Sequence, residues 1–92
     1  MDNLVRARLL YALARMRKWG ESHTDYENIF KQFKSSSLSK DILKSVRKTA
    51  EDLIRDGYIL KKPTHYGLQI SLNPALSIQI KKLIKENLGY DL

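Results

Sequence analysis

The chain contains no cysteine and only two histidines, His23 and His65. The first absence excludes a disulfide framework, a thiol nucleophile and a zinc ribbon. The two histidines are not spaced as a metal-ligand pair. Glycine and proline are scarce, at four and two residues, so few points break the chain. No apolar run approaches the roughly 18 residues of a membrane span. The opening MDNLVRARLL lacks the apolar core and small-residue cleavage site of a secretory signal. A cytoplasmic protein is therefore expected. There is no Gly-rich phosphate loop and no pair of catalytic groups, so neither an enzyme nor a cofactor is expected.

What is abundant is positive charge. The 92 residues carry 17 Lys and Arg against 10 Asp and Glu, a net charge of +7. The pI is about 9.8. Such an excess points to a polyanionic partner. Apolar residues make up 42% and charged residues 29%, a globular composition that supports one small core. Residues 1–92 read as a single domain.

Hydrophobic periodicity predicts a first helix over about 3–19. Val5, Leu9, Ala12, Leu13 and Met16 form its apolar face, and Gly20 stops it. A second, shorter helix covers about 25–33, with Tyr26, Ile29, Phe30 and Phe33 as its apolar residues. Lys34 and Ser35–Ser37 read as a turn, because serine hydroxyls compete for local backbone groups. A third helix over about 39–56 is strongly two-sided. Ile42, Leu43, Val46, Ala50, Leu53 and Ile54 share one arc; Lys40, Lys44, Arg47, Lys48 and Arg55 share the other.

After Gly57 the period becomes alternating. A hairpin is predicted over about 58–72, with Pro63–Gly67 as its turn. Asn73-Pro74 then opens a last helix over about 74–88, Asn as N-cap and Pro in the first turn. Leu76, Ile80, Leu83, Ile84 and Leu88 line its apolar side, and Ile78 falls off that face.

The order is helix, short connector, helix, helix, hairpin, helix. With Val46-Arg-Lys-Thr-Ala50-Glu-Asp-Leu53-Ile-Arg-Asp-Gly57-Tyr58-Ile59, the chain resembles the winged helix-turn-helix family, in particular small regulators of archaea and their viruses. The likeness spans about Leu4 to Leu72. The resemblance implies a mainly α, α+β fold with a winged helix-turn-helix and an added C-terminal helix. It also implies a double-stranded DNA-binding protein, a transcription regulator, whose helix 39–56 enters the major groove.

Carried onto this sequence, the DNA contacts are Ser39, Lys40, Lys44, Ser45, Arg47 and Lys48 of that helix. The wing adds Lys61, Lys62, Thr64, His65 and Tyr66. Arg47 is the preferred base reader, since a guanidinium bonds guanine bidentately; the lysines suit phosphates. The family also implies a homodimer through the terminal helix, by Leu76, Ile78, Ile80, Leu83 and Ile84. No membrane or metal partner is expected, because the apolar faces are needed for the core. The alternative is a winged-helix protein-interaction module within a replication, transcription or membrane-remodelling assembly.

Overall fold

The computed structural model describes residues 3–33 and 40–92. Ser39 and the expected serine turn lie outside the described residues. The first helix, α1, spans Asn3–Arg15, shorter than its apolar pattern suggested. It does not run on to Gly20. Arg17 adopts a left-handed conformation (φ 58°), and the Lys18 amide bonds back to the Leu13 carbonyl at 3.0 Å. The chain leaves the helix because residues 18–20 pair elsewhere. The Leu72 amide donates to Lys18 O at 2.8 Å, and the Gly20 amide donates to Leu72 O at 2.9 Å. Met16, placed on the buried face by periodicity, is consequently 36% exposed.

Strand β1, Thr24–Asp25, was not apparent in the sequence. Its pairing partners are Gln69 and Ile70, far along the chain. The expected second helix forms over Tyr26–Phe33 and is of the 3-10 type. The helix α2 spans Lys40–Arg55. It ends in a turn in which Gly57 takes φ 85° and the Tyr58 amide bonds Leu53 O at 3.0 Å. A Cβ at that φ would be strained, which is why Gly stands there.

The hairpin comprises β2, Ile59–Thr64, and β3, Gly67–Leu72. The sheet is antiparallel with order β1-β3-β2. Pairing continues to Thr64↔Gly67, so the connection is only His65-Tyr66. Pro63 lies within β2 rather than in the turn; it is tolerated because β2 is an edge strand. Asn73 then anchors the base of the hairpin. Its amide donates to Tyr58 O at 3.0 Å, and its side chain donates to Gly57 O at 2.9 Å. The last segment begins as a 3-10 turn, Pro74–Leu76, capped by the Asn73 side chain, and continues as α3, Ser77–Leu88.

The result is an α+β fold in which the helices pack on one face of the sheet. Leu9, Leu10 and Leu13 of α1 meet Val46, Ala50 and Leu53 of α2, Ile59, Ile70 and Leu72 of the sheet, and Ile80 and Ile84 of α3. α3 is thus a core element rather than an appendage. Ile80 and Ile84, expected at a dimer interface, have no exposed surface at all. Leu76 and Leu83 are half-buried against the same core. Of that set only Ile78, at 79%, is exposed.

Candidate nucleic-acid interface

α2 is anchored by one side and open on the other. Val46, Thr49, Ala50 and Leu53 are buried, and buried positions begin only at Val46. The first turn projects past the core, so Ile42, on the apolar arc of the wheel, is 47% exposed. Lys40, Lys44 and Lys48 follow each other at intervals of four and form one row on the exposed side. Among the described residues Lys40 and Lys44 have no acidic partner. Lys48 lies 3.6 Å from the Asp52 carboxylate, which also accepts from Arg55 at 2.9 Å. Asp52 is buried and is satisfied by these two cations. Glu51, exposed on the same side, ends the basic patch toward the C-terminus. Residues 40–48 thus carry four cations, Lys40, Lys44, Arg47 and Lys48, against one exposed acid, Asp41.

Ser45 is exposed, and its carbonyl accepts from the Thr49 hydroxyl at 3.1 Å. Arg47 has an intramolecular task. Its two terminal nitrogens donate to both oxygens of Glu27, at 2.6 and 2.9 Å. Its guanidinium carbon sits 4.4 Å from the centre of the Phe30 ring. Glu27 and Phe30 are three apart on a 3-10 helix, whose rows repeat every three residues, so both face α2 together. Tyr26 joins this cluster, edge-on to Phe30 at 5.0 Å between ring centres. Burial, and then the neighbouring Glu51 charge, push its phenol up to about 12. Nothing local in the sequence joins Arg47 to residues twenty positions earlier. The i, i+3 pairing of Glu27 with Phe30 was the one available hint.

On the hairpin, strand parity separates the two lysines. Lys61 pairs with Ile70 and shares the face of Ile59 and Leu72, the side on which the helices pack. Lys62 pairs with Gln69 and points to the opposite face. Both are exposed because β2 runs past the edge of the core after Ile59. Their side chains leave the strand on opposite faces, Lys61 on the side of α2, although both residues border the hollow beside Gly20, His23 and Pro74. The Thr64 hydroxyl serves the turn: it donates to Gly67 O at 2.8 Å and accepts from the Tyr66 amide at 3.2 Å. His65 is exposed, and Tyr66 is 93% exposed.

Other cations are held by aromatic faces. Arg6 lies 5.4 Å from the Tyr58 ring centre and Lys81 5.9 Å from that of Trp19. Among the described residues there is no group of three His, Asp or Glu that could hold a metal ion. No helix among them is long and apolar enough to cross a membrane. Compared with known proteins, the chain matches no family model, no curated protein and no solved structure.

Proposed function

We propose that the protein binds double-stranded DNA as a winged helix-turn-helix transcription regulator, with the first half of α2 in the major groove and the β2–β3 hairpin as the wing. The observation that carries this is the row of Lys40, Lys44 and Lys48 on the open side of a helix whose other side is locked into the core. Such a helix presents charge rigidly and without rearrangement. The order of helix, connector, helix, helix and hairpin supports the family resemblance, with a 3-10 helix in second place. Lys61 extends the basic surface on the same side, and Tyr66 at the tip offers an aromatic contact.

Lys44 is the central contact. It has no acidic partner among the described residues and lies in the middle of the row. Arg47 reads a base only after leaving Glu27, so it is not the first contact. The affinity comes from counterion release, with sequence preference arising from α2.

The test is fluorescence anisotropy on a random duplex and on a selected pool, across a salt series. Lys44→Ala and Lys61→Ala should each weaken binding and flatten the slope of log K against log salt by about 0.9. Lys62→Ala should have the smaller effect. No binding at low salt would overturn the proposal and favour the protein-interaction module. Binding without enrichment of a motif would remove the regulator while keeping a non-specific DNA binder.

A further inference from the structure

We propose that the groove between α1 and the 3-10 helix binds a small organic anion with an apolar body. The groove is open to solvent on one side and offers about 510 Å³, within the range of small-molecule sites. Tyr11, Ala12 and Met16 of α1 form an apolar wall. Tyr11 is fixed there by stacking on Tyr90, ring centres 4.6 Å apart. Met16, released from the core by the early end of α1, is a soft and adaptable surface.

Charge at the groove has one sign. Arg15 and Lys31 stand on opposite sides, one from each element, and both are exposed. Among the described residues no carboxylate lines the groove and no acid pairs with either cation. Asn28 and Gln32 complete it. The Asn28 amide nitrogen donates to the Thr24 hydroxyl at 2.7 Å, and that of Gln32 donates to Arg8 O at 3.1 Å. Their carbonyl oxygens can receive a hydroxyl or N–H of a ligand, and the second N–H of Asn28 remains as a donor.

The ligand class follows from this combination. A DNA phosphate would use the two cations but not the apolar wall. A neutral apolar molecule would use the wall and leave both cations idle. An organic anion uses both. The site lies on the Asn28 and Lys31 row of the 3-10 helix, not on the Glu27 and Phe30 row that holds α2, so the inference does not depend on DNA binding.

The experiment uses anilinonaphthalene sulfonate, an aromatic anion carrying an N–H, and phenylnaphthylamine, the same rings without the sulfonate. The sulfonate probe should bind one saturable site, about tenfold tighter than the neutral probe. Amide shifts by NMR should cluster at residues 11–16 and 28–32. Arg15→Gln and Lys31→Gln should each weaken the sulfonate probe about five- to tenfold and leave the neutral probe unchanged. Lys82→Gln, which removes the same charge from α3, should change neither. All three positions are exposed, and thermal melts by circular dichroism verify that each variant folds. Equal binding of the two probes, indifference to both variants, or shifts centred elsewhere would overturn the proposal. So would variants that weaken duplex DNA binding while leaving the probe untouched, since the cations would then be phosphate contacts.

Discussion

Arg47 is half exposed, yet both its terminal nitrogens are bonded to Glu27 and its plane lies over Phe30. Two effects add here: a bidentate ion pair, weakened by solvent, and a cation–π contact. Arg47→Ala should therefore lower stability by about 1 kcal/mol in urea melts, with a smaller loss at high salt. Arg47→Lys should restore little, because an ammonium cannot bridge both carboxylate oxygens. Its effect on DNA affinity should be smaller than that of Lys44→Ala. Tyr26, beside it, supplies a pH signature. Its phenol is raised to about 12, chiefly by burial and then by Glu51. An unfolded tyrosine titrates near 10. The folded state thus holds the proton more tightly, so this stabilisation is complete below pH 10 and is lost as pH rises toward 12. Ultraviolet absorbance should show one phenol ionising near pH 12 in the folded protein. Tyr26→Phe should abolish that step and flatten the alkaline loss of stability.

At the scale of elements, α2 and α3 were equally legible as amphipathic helices, but periodicity does not say what each face meets. For α2 the whole basic arc is solvent-exposed as expected, Arg47 included, although Arg47 is tied to Glu27. For α3 the apolar arc closes the core against α1. Ile84 is fully buried, so Ile84→Ala should cost about 2–5 kcal/mol by denaturant unfolding. Ending the chain before Ser77 should leave a protein without a cooperative unfolding transition. If α3 were only a dimerisation arm, both changes would leave the protomer folded. The strand β1 was not legible in the sequence; the second helix was, but not its 3-10 type. Two residues are too few for a period, and eight residues rich in i, i+3 contacts suit either helix type.

For the whole molecule, burial of Ile80 and Ile84 changes what the surface can do. The exposed side of α3 offers Ile78 among Gln79, Lys81, Lys82 and Lys85. One isoleucine amid three lysines falls well short of the roughly 800 Å² per partner that a stable interface buries. Light scattering after size exclusion should therefore give the 10.7 kDa monomer at micromolar concentration. A mass of twice that value, restored to monomer by Ile78→Glu, would reinstate a dimer through α3. The net charge of +7 should make any DNA binding strongly salt-dependent whatever the oligomeric state.

Local pattern was enough for the three long helices, the hairpin with its Gly57 entry, the Asn73-Pro74 start of the last segment and the two-sided character of α2. Each depends on neighbours within a few residues, through helical period, strand alternation or cap chemistry. What needed the folded chain was every feature made by distant partners. The end of α1 follows from Leu72 drawing residues 18–20 into pairing, and β1 exists because Ile70 and Gln69 receive it. Arg47 is held by Glu27 and Phe30, and Ile80 and Ile84 are enclosed by α1. Periodicity identifies which residues can be buried or charged together; only packing selects the surface that meets them.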